Sequence, residues 1–292
     1  MAVWFVTATS SGFGREIARI ALARGDTVIA TARNTAKIEN LKQAGAHVMP
    51  FDVTWPLADM QATAKTVFER FGRVDYLVNA AGYVLAGALE ELGADEVQGI
   101  FNTNVFGIMT TLKAFLPHMR EQEVGADGVR ATVAAIGSMA SWEGAASYGA
   151  YSMTKFCVSS MMEVLRQELE PFHIQATVIE PGAFRTGFLS PTAKVESKEQ
   201  IPAYEDESTP TGRMRAILKA TDGVQQGDVR KGCDIIVDML TRTGVAEGKE
   251  LPARIVLGSD CEKAIRDKCA RTVSLLDEWQ DVIRSTDYLK GE

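Results

Sequence analysis

The sequence predicts an α/β fold, a doubly wound parallel sheet with helices on both faces (a Rossmann fold), built as a single domain. Three observations carry this. Short β-branched runs alternate with helical patterns from the first residues onward. A glycine-bearing loop stands between the first such run and the first helix. No linker, low-complexity stretch or internal repeat divides the 292 residues.

The elements follow in order. Residues 3–7 read as a strand, 14–24 as a helix and 27–31 as a second strand. A helix near 36–43, a strand at 47–51, a helix at 57–71 and a strand at 74–79 complete the first half. The second half is looser, with a long helix at 94–120, a strand at 131–136, a helix at 148–170 and a strand at 175–180. Two stretches depart from this rhythm. Residues 187–226 are polar and broken by Pro191, Pro202, Pro210 and Gly212, so they read as a substrate lid. Residues 261–284 repeat Ile265, Cys269, Thr272, Leu276, Trp279 and Ile283 at spacings of three and four, one helical face expected to pack on its own domain.

Composition narrows the function. With 46% hydrophobic and 24% charged residues the chain has the balance of a soluble globular protein. A net charge of −7 leaves no basic footprint for nucleic acid or an anionic membrane. No apolar run reaches the roughly eighteen residues needed to span a bilayer. The strand at 3–6 starts almost at Met1, which argues against a cleavable leader. Cys157, Cys233, Cys261 and Cys269 lack C-x-x-C spacing and fit reduced thiols in a cytoplasmic protein, with Cys157 expected to be buried in its helix. His47, His118 and His173 share no ligand spacing, so no metal site is expected.

The loop Thr7-Ala8-Thr9-Ser10-Ser11-Gly12-Phe13-Gly14 follows the first strand and opens the first helix. Gly12 and Gly14 would let the backbone approach a pyrophosphate, the helix N-terminus offers free N–H donors, and Ser10 and Ser11 could donate hydroxyls. An ordinary tight turn is the plainer reading of the loop alone. The second strand ends Thr31-Ala32-Arg33 with no carboxylate to hold a ribose 2′-OH. A guanidinium there suits a 2′-phosphate, so NADP is expected over NAD, the alternative being a solvated surface arginine.

Tyr151 and Lys155 lie four residues apart at the start of a helix and so share one face. A phenol with an ordinary pKa near 10 is a poor acid–base group at neutral pH, and an adjacent ammonium would lower it. Ser138 ends a strand thirteen residues before Tyr151, at the edge where parallel sheets bind ligands.

With the loop at 7–14, Asp52-Val53, Asn79-Ala80-Ala81-Gly82, Asn104, Ser138, Tyr151/Lys155 and Pro181-Gly182 with Thr186 in this order, the chain resembles the short-chain dehydrogenase/reductase family up to about residue 186. Its tail is similar to that of longer members related to 17β-hydroxysteroid and retinol dehydrogenases. The resemblance implies an NADPH-dependent carbonyl reductase, or the reverse alcohol dehydrogenase. Tyr151 would be the general acid, Lys155 would lower its pKa and hold the nicotinamide ribose, Ser138 would orient the carbonyl, and Asn104 would anchor a water in a proton relay. For the cofactor it implies Thr7, Ser10, Ser11, Gly12, Phe13 and Gly14 around the phosphates, Asp52 and Val53 at the adenine, and Asn79, Ala80 and Gly82 along the adenosine ribose side. Pro181, Gly182, Phe184 and Thr186 would border the nicotinamide. The family's first loop glycine is replaced by Ala8, which costs on the order of 1 kcal/mol only if that residue must take positive φ.

A protein that binds NADP as a regulator or redox sensor, or one that uses the same pocket for an isomerisation or cyclisation, is the competing reading. The pocket is expected to be lined by Tyr83, Leu85, Met139, Trp142, Tyr148, Phe184, Phe188 and Leu189, with Trp142 and Phe188 touching a hydrophobic ketone or secondary alcohol. The resemblance also implies a homodimer or homotetramer formed through helices 95–120 and 148–170, where Phe101, Phe106, Met109, Met161 and Met162 exceed the needs of one face.

Overall fold

The computed structural model describes residues 1–189 and 194–288. Strands β1 (Val3–Val6), β2 (Thr27–Ala32), β3 (His47–Pro50) and β4 (Tyr76–Asn79) match the first four expected strands. A short β5 (Val84–Ala86) follows, then β6 (Ala131–Ile136), β7 (Ile174–Pro181), β8 (Lys194–Glu196) and β9 (Arg254–Leu257). Seven of these form one sheet in the order β3-β2-β1-β4-β6-β7-β9, every adjacent pair parallel. From β1 the chain winds outward to β3, then returns past β1 to continue through β4. That reversal opens a crevice at the carboxyl ends of β1 and β4, the usual ligand position in such sheets.

Alternation along each strand divides the interior into two cores. In β1, Val3 and Phe5 point to one side, Trp4 and Val6 to the other. Helices α3 (Leu57–Phe71), α5 (Gly107–Glu121) and α6 (Gly149–Glu168) cover the first side with Met60, Phe115 and Val158. The other side is covered by α1 (Gly12–Ala23), α2 (Glu39–Gln43) and α8 (Val229–Thr241), whose Ile17, Leu41 and Ile236 are buried. Strands covered on both faces must be apolar throughout, hence the continuous runs in the sequence.

The long helix expected at 94–120 is present as α4 (Ala94–Phe101), a π-helical turn at Asn102–Phe106, and α5. The region expected to be a loop is more ordered than its composition suggests. β8 pairs in parallel with β5, and α7 (Pro210–Thr221) follows with Thr209 capping the Gly212 N–H at 3.0 Å. Residues 190–193 of the expected lid, Pro191 among them, lie outside the described residues.

Two expectations are overturned and one holds only in part. Cys157 is exposed, because its position on α6 turns it away from the sheet. Of the five apolar residues expected in excess on α4–α6, Met162 is buried and Met161 and Phe101 pack against the cores, while Phe106 and Met109 remain half exposed. The C-terminal helices α9 (Ser259–Glu278) and α10 (Gln280–Arg284) do not pack their apolar face on the domain. Cys261 is buried, but every residue from 268 to 288 is exposed, including Leu276 and Trp279 at 50% each. Among the described residues no helix is long and apolar enough to cross a membrane, and no cluster of His, Cys, Asp or Glu could hold a metal ion.

Candidate active site

The glycine loop is built by close packing. Thr7 Oγ1 accepts from the Ala80 N–H at 2.8 Å, joining the end of β1 to that of β4. A Cβ on Gly14 would lie 2.9 Å from the carbonyl oxygens of Thr7 and Ala8, so α1 can approach β1 only with glycine there. Gly12 has φ +59°, and a Cβ there would lie 3.6 Å from Thr186 Cβ, which puts Thr186 beside the loop. Ala8 also adopts positive φ, +54°, so the substituted position is one where alanine is strained. Ser11 starts α1 in extended conformation without a side-chain cap, and no acidic residue occupies the first turn. Arg15, which sequence reasoning passed over, folds its guanidinium back onto the Ser10 carbonyl.

The surrounding residues fit a dinucleotide. Arg33 is exposed just past the end of β2. Asp52 holds its own turn, accepting from Thr54 N at 2.9 Å and Oγ1 at 2.8 Å, with Val53 buried beside it. Asn79 is buried and donates to the Ala134 carbonyl at 3.4 Å, while its Oδ1 has no partner among the described residues. An orphaned buried acceptor at the crevice is costly unless a ligand hydroxyl completes it. Pro181 is buried, and the Asp260 carboxylate accepts from Ala183 N at 2.7 Å; a Cβ on Gly182 would collide with that carboxylate. Phe184 stacks edge-on with Phe13 at 5.4 Å and covers Gly227 and Gly232.

Tyr151, Lys155 and Ser138 converge at the mouth of this crevice. Burial pushes the Tyr151 phenol up to about 12, and a hydrogen bond with Ser138 works the other way. Burial also brings Lys155 down to about 8. Its Nζ donates to the Ile136 carbonyl at 2.6 Å and lies 5.6 Å from the Tyr151 ring centroid. One of its three donors is thus engaged by the backbone, and burial, not a neighbouring cation, dominates the phenol. Asn104, in the π-helical turn, clamps its surroundings: it accepts from Tyr83 N at 3.1 Å and donates to Tyr83 O at 3.0 Å and Thr154 Oγ1 at 3.1 Å. A Cβ on Gly82 would lie 3.3 Å from Asn104 Oδ1 and 3.7 Å from Lys155 Nζ, so these groups meet over a residue without a side chain.

The wall around Tyr151 is apolar. Val84, Leu85, Ile100, Tyr83, Tyr148 and Phe188 cluster with it, and the Phe188 ring lies 5.7 Å from the Tyr151 ring. Leu189 lines a separate hollow of about 360 Å³ with Lys194, Leu218 and Lys219. Trp142, expected against the substrate, has its indole N–H engaged by the protein itself. Its indole N–H donates to Glu180 at 2.8 Å and the Arg254 guanidinium lies 4.6 Å over its ring. The reason is Glu180, at the end of the expected strand 175–180, fully buried and in need of donors.

Glu91 was likewise missed. Nearly fully buried, it accepts from Ala88 N at 2.7 Å and Ile201 N at 2.9 Å and pairs with Arg215 of α7, pinning the segment after β8 to the body. Nothing in sequence spacing links residues over a hundred positions apart.

The geometry is matched by the comparisons. The model of the short chain dehydrogenase family matches residues 2–197. The chain is 30% identical to oxidoreductase BOA17 of Botryotinia fuckeliana, over 96% of this chain and 97% of that one. It is 36% identical to a 3-ketodihydrosphingosine reductase of Bacteroides thetaiotaomicron, over 69% and 71% of the two chains. A short-chain dehydrogenase structure from Streptomyces avermitilis superposes with a TM-score of 0.85 at 36% identity, covering 98% of each chain. With residues 2–197 matched by the family model and relatives sharing 30–36% identity over more than two thirds of both chains, the chain belongs to the short-chain dehydrogenase family of oxidoreductases.

Proposed function

We propose that the protein is a cytoplasmic NADPH-dependent carbonyl reductase, or the reverse alcohol dehydrogenase, acting on a hydrophobic ketone or secondary alcohol. The observation that carries this is the buried Tyr151 phenol beside Ser138 and Lys155 in an apolar aromatic wall. A bound nicotinamide would supply the hydride. Gly12 and the uncapped start of α1 would hold its phosphates, Arg33 the 2′-phosphate, Asp52 and Val53 the adenine, and Asn79 a ribose hydroxyl through its free Oδ1. Thr186, Pro181 and Phe184 would border the ring, with Lys155 and Tyr151 at its ribose.

The residues divide the remaining work. A phenol held near 12 stays protonated at neutral pH, the form needed to give a proton to a carbonyl oxygen. Ser138 Oγ, which accepts from Ala140 N at 3.1 Å and is hydrogen-bonded to the Tyr151 phenol, would turn to orient that oxygen when a carbonyl enters. Lys155, cationic below about pH 8, stabilises negative charge as it develops there. Phe188 and the segment 187–226 would act as the lid that excludes water.

Self-association into a homodimer or homotetramer is part of the reading. Phe106, Met109, Leu276 and Trp279 are each at least half exposed, more apolar surface than one copy covers. Light scattering at micromolar concentration should give a multiple of 31.7 kDa. The decisive assay is stoichiometric NADPH oxidation over a panel of ketones, with Tyr151→Phe as control. Turnover in the variant should fall at least about a hundredfold while NADPH affinity stays within a few fold. Turnover that survives the loss of the phenol would rule the reading out.

A further inference from the structure

The Glu180 carboxylate is sealed from water and lies outside any step described above, yet it touches the segments that carry Ser138, Tyr151 and Lys155. Its Oε1 accepts from Ser159 Oγ at 2.7 Å, and Ser159 lies on α6 one turn after Lys155. Oε2 accepts from Trp142 Nε1 at 2.8 Å, in the turn four residues after Ser138. Its Cγ lies where a Cβ on Gly137, the neighbour of Ser138, would come within 3.1 Å. Its own carbonyl accepts from Cys261 Sγ at 3.4 Å, and Pro181 follows it directly. Arg254 on β9 supplies the balancing charge and also holds Glu163 of α6.

A buried carboxylate is costly unless each oxygen is paired, and here every partner comes from a different element of the site. Such a network has essentially one low-energy arrangement, so it fixes α6 and the turn after Ser138 relative to each other. Ser141 supplies a second, shorter tie, accepting from Ser138 N at 3.3 Å and donating to the Lys155 carbonyl at 3.0 Å.

We propose that Glu180 is a positioning residue, which through Ser159 and Trp142 holds Ser138 in register with Tyr151 and Lys155. This rests on the reductase reading for its kinetic consequences, though not for its geometric one. Misplacing reacting groups by about an ångström costs up to about a hundredfold in rate. Glu180→Gln keeps the volume but removes the charge and turns one acceptor oxygen into a donor that faces Arg254 or Trp142.

The test compares Glu180→Gln, Trp142→Phe and Ser159→Ala with wild type. Expected is a ten- to hundredfold fall in kcat for ketone reduction in Glu180→Gln, with NADPH affinity and KM little changed. The two milder variants, each removing one donor and keeping the carboxylate, should fall between. Independently of turnover, the ¹³C-tyrosine NMR signal that vanishes in Tyr151→Phe should move in all three variants. An inactive wild type would sink the reductase reading while leaving the NMR result to decide this one. Unmoved Tyr151 signal and kcat in Trp142→Phe and Ser159→Ala, whether or not Glu180→Gln folds, would overturn the proposal and leave Glu180 a stabilising residue only.

Discussion

The Phe188 ring lies 5.7 Å from the Tyr151 ring, at an interplanar angle of 57°, and so forms one wall of the space beside the phenol. Phe188 comes two residues after Thr186, the residue proposed to border the nicotinamide. Phe188→Ala removes the ring and exposes the Tyr151 side of the pocket. The variant should show a KM raised about tenfold or an altered ketone preference, the worth of one well-packed aromatic contact. NADPH binding should be unchanged. Identical kinetics across the ketone panel would show that the segment passes over the surface without closing on substrate.

Ala8 offers a test of backbone strain. At φ +54° an alanine is disfavoured by about 1 kcal/mol, against a smaller loss from glycine's freedom in the unfolded chain. Ala8→Gly should therefore raise Tm by about 1–3 °C and tighten NADPH binding slightly. A lower Tm in calorimetry would mean that the methyl group makes a contact worth more than the strain.

The sheet was legible because its strands are covered on both faces, which forces apolar runs such as Val3–Val6 and residues 133–136. Ser138, Tyr151 and Lys155 were legible because their spacing is local and their chemistry narrow. What escaped depends on distant pairing. The strand Arg254–Leu257 is short, and only its place beside β7 makes it part of the sheet. Glu180 and Glu91 look like ordinary acidic residues until Arg254 and Arg215 arrive beside them. A large aromatic near Ser138 suits a pocket wall, but nothing in the local sequence shows that the Trp142 N–H is taken by the buried Glu180 carboxylate.

The two shifted groups at the site set a pH profile. Lys155, brought down to about 8, is charged below that pH and neutral above it. Tyr151, pushed up to about 12, remains protonated throughout the assay range. Ketone reduction should hold steady from about pH 6 to 7.5 and decline above about 8, because the cation is lost while the acid is still present. The decline should follow a single ionisation. A profile that instead falls below pH 7 would mean that a group other than Lys155 and Tyr151 controls turnover.

Cofactor preference turns on one exposed side chain. Arg33 lies just past the last residue of β2, with Ala32 before it and Asn34 after it, so no carboxylate stands there to claim a ribose 2′-OH. A phosphate in that place carries about two negative charges, and a guanidinium can meet it with two parallel donors. Arg33→Ala should weaken NADPH binding by about 1.5–3 kcal/mol, the range for a hydrogen bond to a charged group. NADH makes no such contact and should bind the variant as it binds wild type. Because the site is open to water, part of the loss should disappear at high salt, where exposed charges are screened. Fluorescence titration of both cofactors at two ionic strengths measures this directly. Equal loss of NADH and NADPH would mean that Arg33 supports the loop rather than the phosphate, and a wild type that prefers NADH would remove the basis for the assignment.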